Sequence, residues 1–268
     1  MELLDYICRH LVVWLLVLVR VSGIFISAPI FSSHQVPVPV RVLGAVGLTV
    51  ALAPLATPQS VPLEQALLPL VAAILREALL GLALGLLPAL VFLALQYAAE
   101  LIDLQVGMGM GGWVDPTFQT SVSPFGNFQY MLGTVLFLTL DAHHLVIGAL
   151  ARSFALVPLG TFSGAALVSE GIVALFCKMA LFGVQLAAPV LAVLLVADLG
   201  LGILNRVAPQ INLLIMTPSL KAVAALLAFS AALPLLAVLL AHLFAGLRGE
   251  FLSLLRAAGA SAGVSHGG

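Results

Sequence analysis

The chain has 268 residues, of which 62% are hydrophobic and 8% charged, and its formal net charge is −1. Soluble domains carry about 25% charged residues, so an ordinary soluble core is excluded. An integral membrane protein, or an obligate part of a hydrophobic assembly, is expected, and with no cluster of lysines and arginines nucleic acid is not an expected partner.

Glu2 and Asp5 make the N-terminus acidic and Arg20 interrupts the first apolar run. Neither suits a cleaved signal peptide, so the first segment is expected to be retained. Cys8 and Cys177 lie far apart, in or beside apolar runs, and read as buried free thiols rather than a disulfide framework. Leu11 to Ile30 is long enough to cross one bilayer core as a helix, with Pro29 marking its end. Phe31 to Pro39 is a polar connection broken by Pro37 and Pro39. The run from Val42 to Ala56 is marginal for a span, and Pro54, Pro58 and Pro62 punctuate its end and the connection after it.

Leu67 to Ala99, as one helix, would be about 50 Å long, well beyond a ~30 Å hydrocarbon core. It is therefore tilted, broken near Pro88, or largely shielded from lipid. Gly81 and Gly85 give it a small-xxx-small face that admits another helix closely. The stretch Gly107 to Thr120, GMGMGGWVDPTFQT, is rich in glycine and has no basic residue. Gly107, Gly109, Gly111 and Gly112 free the backbone, and Asp115-Pro116 favours a turn. Such a loop reads either as a surface connection or as a gate or plug, since irregular backbone at membrane depth must be surrounded by protein or water.

Phe128 to Leu140 is apolar and leads into Asp141-Ala142-His143-His144 and on to Leu150. Arg152, Pro158, Gly160 and Gly164 read as a connection. Gly171 to Val196 is a long apolar run holding Lys178, Asp198 to Asn212 a loop, and Ala222 to Leu247 the last run. Residues 251–268 are a tail, small and polar from Ala257 and expected to be disordered at its end. About six hydrophobic helical segments result. The lysines and arginines beside them do not decide orientation.

Charges inside apolar runs should face protein or water, because each costs about 2.5–3.5 kcal/mol at a helix centre. Arg20, Arg76, Glu77, Lys178 and Asp198 are such charges. Interhelical or intersubunit ion pairing explains them better than a proton or ion pathway. Glu100 and Asp103 share a helix face and would either line an aqueous entrance or mark the end of the apolar layer. Adjacent His143 and His144 point about 100° apart on a helix and cannot easily share a metal, so hydrogen bonding at a helix end is expected instead. An aspartyl dyad of Asp141 and Asp198 lacks flanking motifs, and there is no GxSxG elbow, P-loop or dinucleotide fingerprint. Neither catalysis nor a cofactor is expected.

In this order and spacing the motifs resemble the FliR family of flagellar export-gate proteins, whose virulence counterpart is SctT. The resemblance covers about residues 5 to 250. It rests on Arg20 with Pro29-Ile30-Phe31-Ser32, on Val36 to Arg41, on Glu77 with Gly81 and Gly85, and on Glu100 to Gly107. Its strongest pieces are Val114-Asp115-Pro116, Phe137 to His144, and Asn205-Arg206-Val207-Ala208-Pro209-Gln210-Ile211-Asn212.

The resemblance implies an all-α protein of bent helical hairpins, a FliP-like half followed by a FliQ-like half, forming one export-gate domain over residues 1–250. It implies a place in a bacterial type III export apparatus at the inner membrane and flagellar basal body. FliP and FliQ homologues would be partners in a cone-like core, with an FlhB homologue wrapping the cytoplasmic side and unfolded flagellar subunits as transient cargo. In that family buried charged and polar residues, here Arg20, Arg76, Glu77, Glu100, Asp103, His143, His144, Lys178, Asp198, Arg206, Gln210 and Asn212, would meet neighbouring subunits more than lipid. The loop 107–120 corresponds to the family's channel plug, formed here by Gly107, Met108, Gly109, Met110, Gly111, Gly112, Trp113, Asp115 and Pro116. Met110 and Trp113 stand where phenylalanines are usual, and Ala142 where glycine is usual. The proline pattern near Phe31 and the Asp141–His144 segment favour the flagellar over the virulence arm. A stand-alone small-solute or ion transporter is the competing class, for which inverted repeats would be expected.

Overall fold

Six successive apolar runs leave the backbone little choice but to bond to itself, and helix is the form that does so within each segment. The structure, a computed structural model, describes residues 2–33, 36–56, 67–107, 124–162, 171–207 and 213–264. Among these it consists of helices α1 (Glu2–Ser27), α2 (Pro29–Ser32), α3 (Val38–Leu52), α4 (Leu67–Val106), α5 (Pro124–Thr139), α6 (Ala142–Leu156), α7 (Gly171–Val207) and α8 (Leu213–Val264), with a 3₁₀ turn at Ala53–Leu55 and no strand. Five helices are long and apolar enough to cross a membrane, and α5 with α6 makes a sixth, broken segment.

Proline sets several boundaries. Ala28 is pushed into extended backbone (φ −78°, ψ 123°) ahead of Pro29, which ends α1 at Ser27. Pro37 and Pro39 begin α3 rather than excluding it, because the first turn of a helix has no use for their missing N–H groups. Helix α3 therefore starts at Val38, four residues before the expected apolar run. Arg41 ties the preceding connection down, its guanidinium donating to the carbonyls of Ser33 and Val36.

Three long helices run past their expected ends. The expected loop after Asp198 is helical through Val207. Gly200 and Gly202 do not break α7, since glycine is tolerated in apolar helices. Arg152 belongs to α6 rather than to a connection. Helix α8 continues through Val264, well into the tail expected to be disordered, because Phe251, Leu255 and Ala258 are buried at helical spacing.

The chain divides into two compact units. The first comprises Met1–Leu90, Asp141–Leu175 and Phe244–Gly268. Its core takes Leu16, Val17, Val21 and Ile24 from α1, Leu80, Leu84 and Leu87 from α4, Val146, Leu150 and Phe154 from α6, and Phe244, Leu247, Phe251 and Leu255 from α8. Helices α1 and α4 cross with almost no side chain between them: a methyl group on Gly81 would overlap the Arg20 carbonyl oxygen, and one on Gly85 the Ser27 hydroxyl. The small-xxx-small face is thus used as its spacing suggests.

The second unit comprises Val91–Leu140 and Phe176–Leu243. Phe92 of α4 meets the rings of Tyr130 and Phe137 of α5 at 5.3 and 6.0 Å between centroids, and Phe229 of α8 is edge-on to Phe125 and Phe128. Gly183 of α7 lies against Tyr97 and the Ala94 carbonyl of α4. Two-thirds of the apolar stretch of α4 is buried, against about a third or less for the other four candidate spans.

Candidate functional site

The buried charges come to rest on one another. In the first unit, Arg20 of α1 and Glu77 of α4 are both fully buried and form a two-pronged pair: Nε donates to Oε2 at 2.5 Å and Nη2 to Oε1 at 3.0 Å. The remaining guanidinium donors go to Ser153 Oγ of α6 at 3.0 Å and the Val157 carbonyl at 3.1 Å, and the Phe154 ring lies 4.5 Å from the guanidinium carbon. The Gly160 N–H donates to Glu77 Oε1 at 2.7 Å, while its carbonyl accepts from Arg76 at 2.9 Å. Gly160 can turn both groups toward α4 because it sits at φ +76°, a conformation natural to glycine. A buried pair needs such additional bonds to offset its desolvation.

The second unit holds a smaller network. Asp198 of α7 pairs with Lys221 of α8 and accepts from Gln105 Nε2 of α4 at 2.7 Å. Lys221 Nζ also donates to the Gln105 carbonyl at 3.2 Å. Two residues later α4 ends: Gly107 has φ +91° and donates to the Asp103 carbonyl at 3.0 Å. The network therefore grips the last turn of α4 at the point where the glycine loop begins. From Met108 onward, the loop residues Gly109, Met110, Gly111, Gly112, Trp113, Asp115 and Pro116 lie outside the described residues, as do Gln210 and Asn212.

Other expected residues are placed differently. Glu100 is exposed whereas Asp103 is buried, so the two do not share one open entrance. Helix α4 carries on past both of them. Lys178 and Arg206 are exposed, Arg206 in the last turn of α7. Cys177 is exposed rather than buried. Asp141 precedes α6 in left-handed backbone (φ 53°), with His144 Nδ1 3.4 Å and His143 Nε2 4.0 Å from its carboxylate. The two imidazoles lie 4.2 Å apart. Their Cβ bonds diverge around the helix, but side-chain torsion swings the rings back together, which the expectation of diverging ligands did not allow for. Asp141, His143 and His144 thus each bring one ligand atom within 4.8 Å of the others, close enough to hold a metal ion, which the expectation that the two histidines cannot easily share a metal did not foresee.

Sequence reasoning missed Lys221 and Ser153 and valued Gln105 only as part of a motif. Lys221 had a signal: it is the sole cation between Arg206 and Arg248, and a half-buried Asp198 requires one. Ser153 and Gly160 had none, since their role depends on which helix faces Arg20.

The chain matches the model of bacterial export proteins, family 1, over residues 11–247. It belongs to that family. It is 33% identical over 230 residues to flagellar biosynthetic protein FliR of Escherichia coli (strain K12), covering 85% of this chain and 86% of that protein. To FliR of Bacillus subtilis (strain 168) the identity is 30% over 216 residues, 78% of this chain and 81% of that protein. Yop proteins translocation protein T of Yersinia pestis is 29% identical over 235 residues, 83% of this chain and 87% of that protein. The match to the family takes in both ion-pair networks and the whole glycine loop.

Proposed function

We propose that this chain is a structural component of the flagellar type III protein export gate, helping to form and close the channel that passes unfolded flagellar subunits across the inner membrane. The family match over residues 11–247, with relatives named flagellar biosynthetic protein FliR, carries the reading. The virulence reading keeps the similarity to the Yop translocation protein; the Asp141–His144 segment and the prolines near Phe31 favour the flagellar one. Restoring motility to a flagellated strain lacking its own FliR is the observation that separates them.

The charge geometry supports a structural role over a solute carrier. Ionisable groups on an ion or proton route face a water-filled cavity, whereas Arg20 and Glu77 are fully buried and closed on each other. Outward-facing apolar residues such as Val42, Leu43 and Val46 of α3, and Leu195, Val196 and Leu199 of α7, are exposed in the single chain. In this reading homologues of FliP and FliQ, and lipid, cover them at the basal body, and an FlhB homologue contacts the assembly. No catalytic group or cofactor is needed.

Closure is assigned to residues 107–120. Met108, Met110 and Trp113 occlude the channel, the glycines at 107, 109, 111 and 112 are hinges, and Asp115-Pro116 fixes the exit. Support comes from the left-handed Gly107 and from the Lys221–Gln105 tie just before it. Methionine is compliant, so the seal adapts to what it closes on. Deleting Gly107–Trp113 in cells making the full complex is expected to raise leakage of ions and small solutes. Unchanged leakage through a correctly assembled complex would remove the gate role.

A further inference from the structure

One cleft in the first unit, of about 100 Å³, belongs to neither network. Its walls are α6 and the C-terminal part of α8, and three of its lining residues are basic: His144, Arg152 and Arg248. On α6, His144, Gly148 and Arg152 follow at intervals of four, so they form one stripe. The middle position has no side chain, and a methyl group built on Gly148 meets nothing within 4 Å. That vacancy is the concavity. Leu145, Leu252 and the buried Ala149, Phe251 and Leu255 give the rest of its lining an apolar character.

The two arginines are uncommitted. Neither makes a hydrogen bond or ion pair with any other described residue, unlike Arg20, Arg41 and Arg76. No carboxylate is among the residues that line the cleft. Arg248 also has a telling position along α8. The stretch from Ala222 to Leu247 carries no charge and at 1.5 Å per residue is about 39 Å of helix, enough to cross a ~30 Å hydrocarbon core. Arg248 is the first lysine or arginine beyond it.

We propose that this cleft binds a phosphate-bearing anion, met in the cell as the head group of an anionic phospholipid. The guanidinium groups of Arg152 and Arg248 hold the phosphate oxygens, and the first part of the acyl region lies over Leu145 and Leu252. Guanidinium groups suit phosphate because their planar N–H donors match its oxygens. Basic pockets between apolar helices bind acidic head groups on the same chemistry. This assignment does not rest on the export-gate reading.

The test is titration of the full chain in detergent with short-chain phosphatidylglycerol, phosphatidylcholine or inorganic phosphate, read by native mass spectrometry. Phosphatidylglycerol is expected to bind about 25-fold more tightly than phosphatidylcholine, about five-fold per arginine. The preference is expected to vanish in R152Q/R248Q and to persist in R152K/R248K, with lipid-free melting unchanged in both. Gly148→Leu, which fills the cleft and keeps both arginines, is expected to abolish binding as well. Competition by inorganic phosphate would identify the phosphate itself as the bound group, and its failure to compete the whole lipid. Equal binding of the two lipids, or a preference that survives R152Q/R248Q, overturns the site.

Discussion

Replacing Glu77 by glutamine keeps the side chain's volume and removes the charge that faces Arg20. Oε1 accepts from Arg20 Nη2 at 3.0 Å and from the Gly160 N–H at 2.7 Å, while Oε2 accepts from Arg20 Nε at 2.5 Å. An amide offers one acceptor and one donor, so in either orientation at least one N–H is turned against another N–H. The less costly orientation sacrifices the Nε contact. Arg20 then keeps its charge at 0% exposure with Ser153, Val157, Phe154 and a neutral amide around it. Breaking a buried pair from one side costs about 3–5 kcal/mol, a large part of the roughly 5–15 kcal/mol that holds most domains folded. Denaturation in mixed detergent micelles, followed by circular dichroism, should register that loss for Glu77→Gln. The double variant Arg20→Met with Glu77→Leu removes both charges and should be less destabilised than the sum of the two single changes by about 2 kcal/mol or more. A Glu77→Gln cost below about 1 kcal/mol, or strict additivity in the double variant, would refute the closed-pair account.

Three further outcomes rest on the same geometry and use the same denaturation assay unless stated. Gly81→Ala should cost about 1–3 kcal/mol, because its methyl meets the backbone carbonyl of Arg20, which cannot swing aside; Gly47→Ala, with nothing within 4 Å, should be neutral or slightly stabilising. Gly160→Ala should cost about 1–2 kcal/mol for a different reason: there is room for the methyl, 3.6 Å from Ala73, but a φ of +76° is strained for alanine. Lys221→Met should lower global stability by about 1 kcal/mol, as expected of a partly exposed pair. It should also speed amide exchange at Val106 and Gly107 about five-fold, since the last turn of α4 loses the tie to the Gln105 carbonyl.

How much of this was legible in advance divides along physical lines. Hydropathy marked the helical segments, and the expense of a charge in an apolar run made Arg20 and Glu77 candidates for internal pairing before any geometry was known. The Gly81–Gly85 spacing pointed to a close helix crossing, and α1 is the helix that fills it. Helix ends were the weak point. Gly200 and Gly202 read as breaks on propensities suited to water, yet without water to take up freed carbonyls the helix is the cheaper state. The polar tail after Ala257 carried too little hydrophobicity to suggest order, although Leu255 and Ala258 on one stripe hold it. Lys221 was passed over because only a three-dimensional neighbour, Asp198, gives it a task.

The separation of Arg20 and Glu77 along the chain has a consequence for synthesis. The two are 57 residues apart, and a bacterial ribosome adds about 5–20 residues per second. The Arg20 guanidinium is therefore made about 3–11 s before the carboxylate that neutralises it exists. Throughout that interval a lone guanidinium sits in the middle of an otherwise apolar segment, where it costs about 2.5–3.5 kcal/mol. Retaining α1 at the interface until α4 emerges, so that the two helices enter together, would avoid that cost.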